Sequence, residues 1–514
     1  MKNQPTTVRS RSIRKQDRQY DVVIVGAGPA GSVLAWALAR RGIKALVLDR
    51  ALFPREKVCG DYVEPRGLRL LDEMGCLKTL EADSPLPIAY SATFVNSECR
   101  YRGKIPFYGL RDDLPPHGYI IPRERLDHVL LETAANAGAT IEQGTAVTGV
   151  TTGGKTAVVE AERGKRRVSY KAKLVVGADG VNSVVARSAG LLAWDPRYTA
   201  VSQRAYACGI DGDVGEAVFY FDNDFFPGYG WMFPMGGGVV NLGVGILSET
   251  AERLSINIPR LFEGFLTRLK RTHHRCANLE LIRRPIGGIV KTYGGAGPNY
   301  FSGGLLIGDA GSFVDPMTGE GITPAMDSAL IAADVIEKAL SSGRTDAEFL
   351  SAYQAGFRAY FDPSMVFLDM CAATMRNERM GASWLKAMVR GCELAQRDSR
   401  FGRTTGAYFG GLEINPTGIL SNVWINMLSD LSTLGPRSVS ALLKSEPSPL
   451  FAAAGDMIEW QMSWWRSALD DPVWHASWAM DLERKWLRFF SVINETRTDP
   501  RSEGLLKRSM QAGD

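Results

Sequence analysis

Residues Tyr20 to Arg50 read YDVVIVGAGPAGSVLAWALARRGIKALVLDR. Val22 to Val25 is a short β-branched apolar run with turn residues after it, the pattern of a buried strand. Gly26, Gly28 and Gly31 follow as G-x-G-x-x-G, with Pro29 and Ala30 inside the motif. A helical segment from Ala30 to Arg40 is stopped by Gly42. Ala45 to Leu48 is a second buried strand, and Asp49 and Arg50 stand at its end. A bare glycine fingerprint is a weak signal. Set between a strand and a helix, with an acid 23 residues after Gly26, it predicts a dinucleotide-binding βαβ unit. The glycines let the backbone approach a pyrophosphate, and the helix N-terminus offers its N–H groups and partial positive charge. Asp49 is expected to accept hydrogen bonds from ribose hydroxyls.

At 514 residues the chain can bury a large core, enough for two or three domains. A net charge of +4, spread thinly, argues against nucleic acid as a partner. No apolar run reaches the ~18 residues of a membrane span. The first 19 residues are polar and carry Arg9, Arg11, Arg14, Lys15 and Arg18 without the apolar core of a signal peptide, so they read as a disordered tail. Seven cysteines, an odd number with no C-x-x-C, fit reduced thiols in a cytoplasmic protein and give no zinc signature. The histidines form no metal-ligand cluster.

The loop Phe53 to Asp61 reads FPREKVCGD, and Pro65 to Met74 has helical spacing. This loop, after a GxGxxG…DR unit, resembles the geranylgeranyl reductases and their relatives among the flavin hydroxylases. Flavin halogenases share the frame but usually show Gly-Glu-Ser where this chain has Cys59, Gly60 and Asp61. Two later stretches strengthen the resemblance. GADGVNSVVAR follows a strand at Lys173–Val176, and GDAGSFVDPMTGEGITPAMD follows one at Phe301–Ile307. They match the second and third fingerprints of this flavoprotein class. The resemblance covers roughly residues 20–345 and implies a non-covalent FAD. It places Gly26, Gly28, Pro29, Ala30, Gly31, Asp49, Arg50, Cys59, Gly60, Asp179, Gly180, Asp309, Gly319, Gly321 and Ile322 at the cofactor. It also implies that Arg123, at the head of a helix with Leu126, Val129, Leu130 and Ala134 on its buried face, reaches the phosphates or ribityl chain. The Val147 backbone would meet the adenine, and Asp179 would hold a loop near both ends of the dinucleotide. Thr323 and Pro324 read as N-cap and N1 of a helix running to Leu340, whose start would face the flavin N1–C2=O edge.

FPGYGWMFPMGGGVVNLGVG contains Tyr229, Trp231 and Phe233 at alternate positions. A strand of period two puts these rings on one face. The spacing Y-x-W-x-F-P, eight residues, then G-x-G, is similar to the geranylgeranyl reductase pattern and implies a substrate-facing aromatic wall. Cys59 would lie near the flavin ring, gating it or supplying a proton.

The expected fold is α/β. A Rossmann-like FAD-binding domain (residues 20–86, 118–196 and 297–345) carries an inserted, mostly antiparallel β-sheet substrate domain (87–117 and 197–296), and a helical region (346–514) extends it. The tail beyond 400 holds seven of the eleven tryptophans. Trp474, Trp478, Leu482, Trp486 and Phe490 recur every four residues, read as one helix face docked on the body, or as an apolar lid or peripheral membrane contact. Only one dinucleotide fingerprint is present, so an electron donor must be transient NAD(P)H or a protein such as reduced ferredoxin. The leading expectation is reduction of C=C bonds in an apolar isoprenoid or polyketide-like substrate: protonation gives a tertiary carbocation, which takes hydride from reduced flavin. A flavin monooxygenase (hydroxylase or epoxidase) tailoring a natural product is an alternative. So is a cyclase in which FAD only shapes the pocket.

Overall fold

A computed structural model describes residues 14–104, 114–154, 156–212, 214–294, 297–399, 402 and 449–496. Residues 1–13 of the expected disordered tail, residues 400–401 and 403–448 of the C-terminal region, and the Glu446–Pro449 break up to residue 448 lie outside them.

The strand before the first glycine is longer than its apolar core. It runs Arg14–Val25, so residues 14–19, expected to be disordered, are strand. They pair in parallel with Arg166–Gly177, with an irregularity between Lys15 and Gln19. Backbone pairing to a neighbouring strand holds them, not an apolar pattern. The same central strand pairs in parallel with Ala45–Leu48 on its other side. Gly304–Leu306 and Thr140–Glu142 complete the parallel set at either end. Val22–Val25, Ala45–Leu48, Leu174–Val176 and Leu305–Leu306 are buried, hence their continuous apolar runs. Helix Pro29–Arg40 lies on one face. Its buried Leu34 and Leu38 share a core with the helix Ile322–Ser342. Two hairpin strands, Thr145–Thr151 and Ala157–Arg163, are antiparallel additions to Arg166–Gly177.

The second sheet is mostly antiparallel. In it lie Thr199–Cys208, Val239–Leu247, Tyr229–Gly236 and Glu216–Phe221 side by side. The edge hairpin Tyr90–Val95 and Glu98–Lys104 joins through a parallel pairing with Glu216–Phe221. One face is covered by the helix Ile258–Thr272 through Phe262, Phe265 and Leu269. The apolar spacing over residues 248–275 reads as one helix with Leu254 on its buried face, but Leu254 is exposed, because the chain breaks between Arg253 and Ile258 into two helices. Gly230 leaves room for this packing: a Cβ there would lie 2.5 Å from the Phe265 ring. The opposite face looks at the parallel sheet.

Helix Ala347–Met375 continues the body, and Pro472–Thr496 packs along it. Trp478, Leu482, Phe489 and Val492 are buried there, but Trp486 and Phe490 are 38% and 54% exposed. A step of four residues turns the helix by about 400°, so a row repeating every four drifts by about 40° a step. The buried stripe instead alternates three and four. Among the described residues no helix is long and apolar enough to cross a membrane.

Candidate active site

A cleft of about 910 Å³ opens between the two sheets. Its floor is the carboxyl end of the parallel strands, where ligands bind in such folds.

Gly26 leaves the central strand at φ +102°, and a Cβ on it would lie 2.3 Å from the Ala178 carbonyl oxygen. Gly28 is the N-cap of the first helix, with Pro29 at its start. A Cβ on Gly28 would point toward the cleft, with the Arg55 and Arg123 guanidinium groups at 3.8 and 4.0 Å. Gly31 does not line the cleft. A Cβ there would sit 1.9 Å from the Gly26 carbonyl oxygen, so its role is to let helix and loop touch. Asp49 lines the cleft and accepts the N–H groups of Ala27 and Ala51, each at 2.8 Å, so it also shapes the loop. Arg50, Ala30 and Val147 line the same end of the cleft.

Arg123 is buried and forms two hydrogen bonds to the Asp127 carboxylate, at 2.7 and 2.9 Å. Arg55, which the sequence did not single out, meets the same carboxylate at 3.0 Å. Its Nη1 is buried and has no partner. An orphaned buried donor is costly. The Arg55 guanidinium, whose Nη2 is the atom nearest a Cβ on Gly28, lies beside that open glycine at a helix N-terminus, where an anion is favoured. These features fit a dinucleotide pyrophosphate, and Gly28, Pro29, Ala30 and Arg55 would hold it.

Asp179 turns inward. It accepts the Ser183 hydroxyl at 2.5 Å and the Val184 N–H at 2.6 Å, which ties down the loop after Gly177. Gly180 beside it has φ +77°. Asp309 lies in the turn Gly308–Gly311, just beyond its strand, and lines the cleft. The following helix begins at Ile322 with Gly321 as N-cap, not at Thr323–Pro324 as expected. The shift has a cause: Glu320 accepts the Thr323 N–H at 2.8 Å and caps the helix from outside, which the Thr323 side chain does not do. Burial pushes the Glu320 carboxyl well above the usual carboxylate range.

Across the cleft, Tyr229, Trp231 and Phe233 share one face of their strand, with neighbouring ring centroids 6.1 and 6.5 Å apart. Phe219 and Phe221 from the next strand, and Tyr62, complete an aromatic box. The G-x-G of the spacing pattern acquires a physical meaning here. Gly243 sits opposite Trp231 in the ladder, and a Cβ on it would lie 2.3 Å from the indole. The Tyr229 hydroxyl donates to the Thr318 carbonyl oxygen, joining the aromatic strand to the Gly319–Gly321 loop.

Beneath the indole lies a polar seam. Trp231 Nε1 donates to Asn241 Oδ1 at 3.0 Å. Asn241 Nδ2 donates to Asp61 Oδ2 at 2.8 Å and to the Cys59 carbonyl oxygen at 2.9 Å. The Tyr206 hydroxyl also donates to Asp61 Oδ2. Asp61 is fully buried, and burial raises its carboxyl to about 6, against the opposing pull of Tyr206 and the Arg204 charge. Burial likewise raises the Cys59 thiol, which lies against Arg123. Gly60 is held close to the wall: a Cβ there would be 3.0 Å from the Phe233 ring.

Known proteins share this arrangement. A model of the FAD binding domain matches residues 19–201, and one of the geranylgeranyl reductase catalytic domain matches residues 199–283. Fold and cleft thus define an FAD-dependent oxidoreductase. The chain belongs to the geranylgeranyl reductase family. It is 31% identical over 352 residues to digeranylgeranylglycerophospholipid reductase 1 of Methanococcoides burtonii, covering 67% of this chain and 80% of that protein. It is 33% identical over 348 residues to the menaquinone reductase of Mycolicibacterium smegmatis, covering 63% and 78%. The fold is shared with a geranylgeranyl bacteriochlorophyll reductase-like protein from Thermoplasma acidophilum (TM-score 0.63, 24% identity, 73% of this chain and 91% of the other). It is also shared with a flavin-dependent brominase (TM-score 0.64, 18% identity, 81% and 100%).

Proposed function

We propose that this enzyme reduces isolated C=C bonds in a polyprenyl chain carried by a lipid or quinone. The observation that carries the reading is the aromatic box. Tyr62, Phe219, Phe221, Tyr229, Trp231 and Phe233 line the same cleft as the fingerprint residues. The relatives named for digeranylgeranylglycerophospholipid and menaquinone support the substrate class. FAD, when bound and reduced, supplies the hydride. The chain's own residues do the rest. Ring faces attract positive charge, so they favour an alkene carbon that becomes cationic on protonation. The box keeps water from that carbon. Cys59 stays a protonated thiol at neutral pH, because burial opposes its ionisation, and it is the proposed proton source at the cleft. Transient NAD(P)H or reduced ferredoxin is the proposed electron donor.

The test is anaerobic turnover. FAD-loaded protein with dithionite is given menaquinone or digeranylgeranylglycerophospholipid, and the products are weighed. A gain of two hydrogens per reduced C=C bond is expected, over an enzyme-free dithionite control and after any quinol has been reoxidised to the quinone. A product that forms only with oxygen and carries an added oxygen atom would make the protein a monooxygenase instead.

A further inference from the structure

Trp231 is not held by packing alone. Its indole nitrogen can only donate, so the Asn241 amide must turn its oxygen to the ring and its nitrogen away. The nitrogen then meets Asp61 Oδ2 and the Cys59 carbonyl oxygen, at 2.8 and 2.9 Å. Asp61 and the Cys59 carbonyl oxygen therefore hold the amide in the orientation that the indole requires. Flipping it would put two donors against each other and two oxygens together. The carboxylate is itself fixed by the Tyr206 hydroxyl on the neighbouring strand. Its backbone is unusual: φ is +64°, a conformation most side chains avoid and Asn, Asp and Gly tolerate. The residue is fully buried, and its Oδ1 has no partner. A buried carboxylate left half-satisfied in a left-handed loop is expensive. Packing alone gives no reason to keep it there.

We propose that Asp61 is a positioning residue for the reaction, acting through Asn241 to fix the Trp231 indole over Gly243 and the Cys59 loop beneath it. The proposal rests on the aromatic-box reading for its effect on turnover, but not for its effect on the indole.

The test uses FAD-loaded full-length protein labelled with 15N-tryptophan, with the Trp231 indole N–H signal assigned by its absence in Trp231→Phe. Asp61→Gly removes the acceptor and suits the positive φ. Asp61→Asn keeps both the φ tolerance and an acceptor oxygen. In Asp61→Gly the Trp231 signal is expected to move toward the position of a solvent-exposed or unbonded indole. Turnover of menaquinone under dithionite should fall about tenfold or more per bound FAD, as expected for loss of roughly 1.4 kcal/mol of transition-state stabilisation. Asp61→Asn should return the signal to its original place and restore most of the lost turnover. Asn241→Ala removes the indole's acceptor itself and so gives the unbonded reference position of the signal; where Asp61→Gly does not retain FAD, Asp61→Ala, read for the indole signal alone, serves instead. An unmoved indole signal in Asp61→Gly, or in Asp61→Ala where that serves, would overturn the proposal. So would an Asp61→Asn variant that behaves like Asp61→Gly, because charge rather than the hydrogen-bond link would then matter. If the signal moves while Trp231→Ala turns over normally, the aromatic-box reading fails and the orienting role of Asp61 stands.

Discussion

At the scale of single residues, the first fingerprint could be read from the sequence because Gly26 and Gly31 mark close backbone approaches and Gly28 leaves the helix start open. Arg55, Asp61, Asn241 and Tyr206 could not. Asp61 meets partners 145 and 180 residues away, and no local period announces such a meeting. Gly28→Val should leave the fold intact, since the nearest protein atom to a Cβ there is 3.8 Å away. It should instead abolish FAD binding, seen as loss of the yellow absorbance from a still soluble protein. Trp231→Ala removes a ring face worth about 0.5–2 kcal/mol or more to a cation. Turnover per bound FAD should fall by about tenfold, with FAD content unchanged. Turnover unaltered at full FAD loading would return Trp231 to a packing role. Asp61 also carries a pH signature. Its folded-state value of about 6 lies above the ordinary aspartate value of 3.8, mainly because of burial, with Tyr206, Arg204, Asn241 and Arg123 opposing. The folded protein thus holds this proton more tightly than the unfolded chain does. Its stability contribution is fully present below about 4 and is lost as pH rises through about 6. Asp61→Asn should therefore gain in unfolding free energy over wild type at pH 7, and that gain should shrink as the pH is lowered toward 4. Urea titrations at several pH values would show it, and a gain independent of pH would contradict a buried ionised Asp61.

Among the elements, strands and helices with one strong pattern were legible, and those shaped by distant partners were less so. The tail helix Pro472–Thr496 illustrates both. Its amphipathic character was plain, but its buried stripe includes charges that a search for apolar rows passes over. Lys485 pairs with Asp369, and Arg376 pairs with Asp481, all four buried. The Trp478 indole donates to the Ala373 carbonyl oxygen at 2.7 Å. Ala372 and Met375, on the same helix as Ala373, line the cleft. The tail thus braces a wall of the site from behind. Lys485→Met leaves Asp369 buried beside a neutral side chain. Breaking such a pair costs about 3–5 kcal/mol, a shift that chemical denaturation would read. Replacing Asp369 as well, with leucine, should recover much of the loss. A double variant no better than the single one would show that the pair is not coupled.

For the whole molecule, the α/β class and the mostly antiparallel second sheet followed from the motif order, whereas the route of residues 14–19 into the central sheet did not. The cleft has the fingerprint loops on one side and the aromatic strand on the other. The Gly319–Gly321 loop, which Tyr229 ties down through the Thr318 carbonyl oxygen, links the two sides, and residues of both would hold a cofactor bound there. Free FAD at about 100 times its Kd should add about 2.7 kcal/mol to the stability of the apoprotein, and a thermal melt with and without FAD measures it. The aromatic strand carries one more consequence. Trp231 lies flat on the bare backbone of its neighbour because position 243 has no side chain. The depth available to a ligand at that wall is therefore governed by one residue on a rigid ladder, remote in sequence from every fingerprint. Exchanging the residues that face each other at 231 and 243 would change that depth and leave the fingerprint loops untouched.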